Sequence, residues 1–326
     1  MRPTRPLAVA LVIAVLTAVS GGVFAQQAWP GRPIRLIVPY PAGGGTDFFA
    51  RLMSTKLAEG LGQPVVVENR PGAGTLVGTE AAAKAPPDGY TLLVAGTPNL
   101  ALNAGLYKSL PYDPARDFVP VGLCVAYSYT LIGRKDLPQS TLKELVSFAK
   151  ANPDKLTYAS GGNGTGQHIA AAVYAHLAGV QMTHVPYKGA QAAYQDLLAG
   201  RVDLFFDNTS TAKAQVDAGT VKALAVSTRE RIALHPNVPT VNESGTAQFE
   251  MESFFGYFAQ AKTPRPVLER LRAEFARTMQ HKDVITRFER SGARVLRLAA
   301  AETEALVAQD IEKWTRLIRQ ADIRAD

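Results

Sequence analysis

The sequence predicts two α/β lobes, each a mainly parallel sheet flanked by helices, on three observations. Apolar runs of strand length alternate with segments of helical spacing, from Ile34 to Ala95 and again from Leu156 to Val226. Without a leader the chain has about 300 residues, more than one core usually organises. The strand ends fall into two sets of three that are rich in glycine, asparagine and hydroxyl residues rather than in charge. Ligands of open parallel sheets bind outside the carboxyl ends of the strands, so a cleft closing on a small molecule is expected.

The N-terminus stands apart from the fold. Arg2 and Arg5 precede an apolar run from Leu7 to Val19, and Val23-Phe24-Ala25 supplies a cleavage pattern. This describes a secretory leader, residues 1–25, removed after Ala25. A membrane anchor is the alternative, but the run is shorter than the roughly 20 residues a spanning helix needs. Cys124 is the single cysteine, so no internal disulfide is expected, and its apolar surroundings from Phe118 to Val125 suggest a buried small hydrophobe. The formal charge is +7, or +5 after loss of Arg2 and Arg5, and the basic residues are scattered. No nucleic-acid partner follows from such a distribution.

In the first lobe, Ile34–Val38 reads as a strand, Asp47–Glu59 as a helix and Pro64–Glu68 as a strand. The turn Asn69 to Gly74 leads to an alanine-rich helix, Thr75–Lys84, and after the break at Pro86-Pro87-Asp88-Gly89 a third strand, Tyr90–Ala95, ends in Gly96 to Asn99. The second lobe opens with a helix, Thr141–Lys150, and a strand, Leu156–Ala159, that runs into Ser160 to Gly166. A helix from Gln167 to Ala178 carries Ile169, Val173 and Leu177 at i, i+4, i+8, and Met182–Val185 is the next strand. Ala190–Leu198 reads as a helix, Val202–Phe206 as a strand ending at Asp207 to Ser210, Ala212–Ala218 as a short helix and Val221–Val226 as a strand. Beyond Pro236, Pro239 and Gly245 come a strand, Phe254–Gln260, and a helix to about Met279, with Thr263 as cap and Pro264 as first helical residue. A short strand, Ala293–Leu298, precedes a last helix with Val307, Ile311, Trp314 and Ile318 on one face, expected to close the first lobe. Crossings near Val121–Tyr127 and Val226–Arg229 give lobe 1 as 26–123 and 228–326, and lobe 2 as 124–227.

Gly43-Gly44-Gly45 between strand and helix is the most telling stretch. Three glycines leave no side chains between backbone N–H groups and an approaching anion, and the helix dipole favours negative charge there. A tight structural turn is the alternative reading. Asp47 likewise reads as a helix cap or as a group that orients the loop, and Asp207 as a backbone partner or a ligand contact. His168, His176, His184, His235 and His281 show no metal-ligand spacing with acid or cysteine, so no metal and no cofactor is expected. Gly162 to Gly166 does not meet the dinucleotide fingerprint, and neither a GK[ST] loop nor a G-x-S-x-G elbow occurs.

These stretches carry a family resemblance. Val38 to Asp47, Val67-Glu68-Asn69-Arg70-Pro71-Gly72-Ala73-Gly74, Pro87 to Leu93 and Tyr158 to Thr165 resemble motifs of the Bug-type periplasmic receptors. So do Val185-Pro186-Tyr187-Lys188-Gly189, Phe206-Asp207-Asn208 and Val238-Pro239-Thr240-Val241. These receptors are the solute-binding component of tripartite tricarboxylate transporters. The resemblance implies a two-lobed periplasmic-binding-protein (Venus-flytrap) fold, periplasmic localisation, no catalysis, and a monomer that serves a membrane permease. It also implies capture of a small carboxylate (an amino acid, a dicarboxylate or an aromatic acid) through backbone amides and bridging waters. Carried over by residue, the contacts are Tyr40, Gly44, Gly45, Thr46, Asp47 and Thr97 in the first lobe. In the second they are Ser160, Gly162, Asn163, Thr165, His168, Tyr187 and Asp207.

Phe48-Phe49 departs from the smaller aliphatics usual at this point. If Phe48 borders the cleft, an aromatic or elongated acid is favoured; the other reading puts both rings in the core. Two rival functions remain: a sensor that presents ligand to a membrane signalling partner, and an exported enzyme using Asp47 or Asp207 as general base. The enzyme lacks a recognisable nucleophile–base pair.

Overall fold

The computed structural model describes residues 29–325; the expected leader lies outside them. Among the described residues no helix is long and apolar enough to cross a membrane. The first half is built from β1 (Ile34–Val38), α1 (Gly45–Leu61), β2 (Val65–Asn69), α2 (Leu76–Ala83) and β3 (Thr91–Gly96). A wide π-type turn, Thr97–Leu102, then leads into the single turn α3 (Asn103–Leu106). β1 pairs in parallel with β2 and β3. Its residues are apolar on both faces because both are covered. Ile34, Leu36 and Val38 meet Met53 and Leu57 of α1, while Ile37 lies in a second cluster with Leu93 and Phe258. Each such buried side chain contributes about 1.5–3 kcal/mol relative to exposure. α1 stops at Gly62, whose left-handed φ of 71° lets its N–H reach Ala58 O at 3.0 Å.

β4 (Phe118–Arg134) is a strand of 17 residues that belongs to both halves. Phe118 to Ser128 pair antiparallel with β9 (Glu252–Gln260), which itself pairs with β3. Tyr129 to Gly133 pair with β7 (Leu204–Asn208), and Thr130 to Arg134 with β8 (Val221–Val226). β7 then continues in parallel to β5 (Thr157–Ser160) and on to β6 (Thr183–Pro186). One curled sheet therefore runs β2-β1-β3-β9-β4-β7-β5-β6. The partner change falls between Ser128 and Tyr129, whereas the sequence reading puts the boundary at 123/124; the apolar run does not mark where a continuous strand exchanges neighbours.

The second half carries α4 (Leu142–Ala151), α5 (Gly166–Ala178), α6 (Ala190–Leu198) and α7 (Thr209–Asp217). α8 (Arg265–Thr278), α9 (Lys282–Arg290), β10 (Arg294–Val295) and α10 (Ala300–Gln320) complete the chain. Two expectations need correcting. Pro264, not Thr263, occupies the cap of α8, because the Thr263 hydroxyl closes the preceding turn by donating to Gln260 O at 2.7 Å. α10 does not close the first half alone: Trp314 and Ile318 sit in one cluster with Leu102 and Leu106 and with Tyr129, Ile169 and Tyr174. Val241, Phe249 and Met251, assigned to the first lobe by the sequence reading, pack in that cluster too.

Candidate ligand cleft

Two strand–turn–helix units face each other across the sheet. In the first, β1 ends at Val38 and the glycines lead to Gly44, the N-cap of α1, which makes no side-chain cap bond. The first-turn amides have no acceptor within the helix, so they remain available at its positive end. Asp47 does not face outward. Its Oδ2 accepts from Gly43 N–H and Arg51 Nε, each at 2.9 Å, and its Oδ1 from Asn69 Nδ2 at 2.9 Å. The Arg51 guanidinium chiefly, with the Gly43 amide and Asn69, holds this carboxyl down at about 2 against the desolvation of its site.

In the second unit, Thr165 caps α5 by accepting from His168 N–H and donates to Gly162 O at 2.8 Å. Gly162 has φ +133°, a conformation that side chains rarely adopt. Ser160 Oγ lies 2.7 Å from His184 Nε2, and Gly164 N–H donates to His168 Nδ1 at 3.2 Å. His168 and His184 stack at 4.0 Å and 8°, with Tyr158 stacked on His184 at 4.9 Å. Burial lowers both histidines to about 4, so the pair is neutral at pH 7. Asp207 is buried, accepting from Gln167 Nε2 and Tyr194 Oη at 2.5 and 2.7 Å; desolvation raises its pKa.

Between these units lies a cleft of about 480 Å³. Its polar lining comes from the starts of four helices: Gly45 and Thr46 of α1, Thr165 and Gly166 at α5, Gly189 and Ala190 at α6, and Asn208 and Ser210 at α7. No Asp, Glu, His, Lys or Arg lines it; Gly161, Gln167, Thr211 and Ser291 also reach it, and Phe49, Tyr127, Tyr129, Ser253 and Phe255 complete its wall. A hollow of about 500 Å³ on the opposite face of β4 and β9 is lined by Ala126, Ser128, Glu252 and several charged groups; residues one apart on a strand point to opposite faces.

Of the thirteen contacts expected, Gly45, Thr46 and Thr165 line this cleft. Gly44 and Asn163 are exposed in the turns beside it, and Gly162 forms the bend behind Thr165. Asp47, Ser160, His168 and Asp207 brace the turns from below. Tyr40 packs edge-on against Phe255 at 6.0 Å, and Tyr187 donates to Asp196 at 2.8 Å. Thr97 is turned away altogether, donating to Asp310 at 2.7 Å and accepting from Phe254 N–H. The Asn69–Gly74 turn is likewise absent from the lining, since Asn69 is committed to Asp47, Arg51 and Tyr40 O. Phe49 rather than Phe48 lines the cleft; Phe48 is 43% exposed. The strand residues Tyr127, Tyr129, Ser253 and Phe255 escaped the sequence reading, although their i, i+2 spacing was the available signal. Among the described residues no cluster of three or more His, Cys, Asp or Glu could hold a metal ion, and Cys124 is buried, which pushes its thiol far up.

A family model described as the tripartite tricarboxylate transporter family receptor matches residues 49–323. Among solved structures, the periplasmic binding protein BugD is 36% identical at a TM-score of 0.76, covering 91% of this chain and 99% of that one. MatC from Rhodopseudomonas palustris, with bound malate, is 34% identical at 0.77, with 89% and 100% covered. The R. palustris protein Rpa4515, with adipate, is 32% identical at 0.78, with 91% and 99% covered. The family is thus described as one of receptors, and BugD as a periplasmic binding protein.

Proposed function

Because this chain belongs to the tripartite tricarboxylate transporter receptor family, and so is a solute-binding receptor of the Bug type, we propose that it captures a small organic carboxylate between its two halves and hands it to a membrane permease. The proposal includes export to the periplasm, removal of residues 1–25, and action as a monomer. The observation that carries it is the convergence of four helix N-termini on one cleft without a charged lining side chain. Backbone amides there would hold the carboxylate directly and through waters, with Gly45, Thr46 and Thr165 nearest and Tyr40, Gly44, Asp47, Ser160, Gly162, Asn163, His168, Tyr187 and Asp207 as the frame.

Magnitudes favour use of both halves. A hydrogen bond to a charged group contributes roughly 1.5–3 kcal/mol, while micromolar binding needs about 8 kcal/mol net of the association cost. One turn falls short; several turns closing on one ligand reach it. The carboxylates in MatC and the R. palustris protein Rpa4515 support the same ligand chemistry here. The test is mass spectrometry of what co-purifies with the exported protein, then thermal-shift screening of carboxylic acids. An acid recovered unchanged, which at a hundredfold excess over Kd stabilises by about 2.7 kcal/mol, is expected. If no organic acid raises the melting temperature, the proposal fails.

A further inference from the structure

Resting on that carboxylate reading, we infer that the ligand carries an aromatic ring and no ammonium group, the ring lying on a wall made by Phe49, Tyr127 and Phe255. The three rings line the cleft as a connected series: Phe49 to Tyr127 at 5.8 Å and 45°, and Tyr127 to Phe255 at 5.9 Å and 73°. Phe288 backs Phe49 at 5.0 Å and Tyr40 backs Phe255 at 6.0 Å, so the wall is stiff. Tyr127 and Phe255 are only half-buried and keep ring surface open to the cleft. Such a surface is complementary to a flat ring, since aromatic pairs gain from tilted and edge-on contact at these spacings.

The polar groups point the same way. The Tyr127 hydroxyl is buried beside Ser291, so Tyr127 offers the cleft ring surface and not a polar tip. An ammonium group would find no acid on the lining, and the nearby carboxylates of Asp47 and Asp207 are saturated by Gly43, Arg51 and Asn69, and by Gln167 and Tyr194.

Calorimetric titration of the mature chain with benzoate, 4-hydroxybenzoate, adipate and L-glutamate tests this. The aromatic acids are expected to bind at least about tenfold tighter than the other two. Phe255→Leu should weaken both aromatic acids about tenfold while adipate changes by less than about twofold. Adipate binding tighter than both aromatic acids overturns the inference and leaves the receptor reading standing. Glutamate binding tightest overturns the exclusion of an ammonium group. Failure of every acid to bind overturns the inference and the receptor reading together.

Discussion

The turns Gly43–Asp47 and Ser160–His168 each lead into the start of a helix beside the cleft, yet they are braced by opposite chemistry. Behind the first lies an ionic brace of Asp47 and Arg51, with Asn69 completing it. Behind the second lies a neutral stack of Tyr158, His184 and His168, tied to the loop through Ser160 and Gly164. The first brace is half open to water, with Arg51 53% exposed, and the second is largely enclosed. A common backbone geometry can therefore be held by charge at the surface or by packing inside, and the two halves should fail under different conditions.

The largest expected difference comes from adding one methyl group to each turn. At Gly166 a Cβ would meet Tyr129 Oη at 2.0 Å, disturbing the ring that also bonds Ser253, so Gly166→Ala should cost about 1–3 kcal/mol in denaturant unfolding. At Gly45 a Cβ finds only Phe49 Cε2 at 3.9 Å, so Gly45→Ala should leave stability within about 0.5 kcal/mol. Ligand affinity should nevertheless fall about tenfold or more if the carboxylate binds as proposed, because the methyl would then stand in its approach. Equal stability loss in the two variants would erase the contrast.

Acid between pH 6.5 and 4 should load the second turn and not the first. His168 and His184 are held down at about 4 from 6.5, so between these values the unfolded chain binds more protons than the fold. Stability present above pH 6.5 is then lost as the pH falls toward 4, with His168 contributing on the order of 1 kcal/mol. Asp310, raised by burial to about 6, works in reverse and gains as pH falls through 6. His168→Gln should flatten the loss relative to the wild type, read as melting temperature against pH. Asp47 enters only below pH 3.8, as the pH falls toward 2. A wild-type curve and a His168→Gln curve that run parallel from 6.5 to 4 would show the stack to be inert.

The smallest effect belongs to the ionic brace. Arg51→Met removes a guanidinium largely screened by water, and should weaken ligand binding by no more than about threefold, less in high salt. An order of magnitude in calorimetry would mean that the surface charge, not the bound Gly43 amide, holds the first turn.

Both glycine turns and their helices were legible in the chain because each depends on neighbours in sequence: an apolar run, residues free to turn, then helical spacing. Thr97 shows where that reading stops. Its strand end resembles the others, but a π-type turn and α10 draw its hydroxyl to Asp310, some two hundred residues away in the chain. The ring wall shows it again, since Phe49 lies inside an anticipated helix, while which of Phe48 and Phe49 reaches the cleft depends on helix packing.

By itself the sequence determined the α/β units, the glycine-rich turns and the family, since these are set by local pattern and by motifs that survive in order. Only the tertiary structure decided which turns meet, that β4 and β9 supply an aromatic wall, and that the buried aspartates are hydrogen-bonded into the turns. The physical reason is that a strand's face and a carboxylate's partners are fixed by register and by distant chain segments, and neither is encoded in any one stretch.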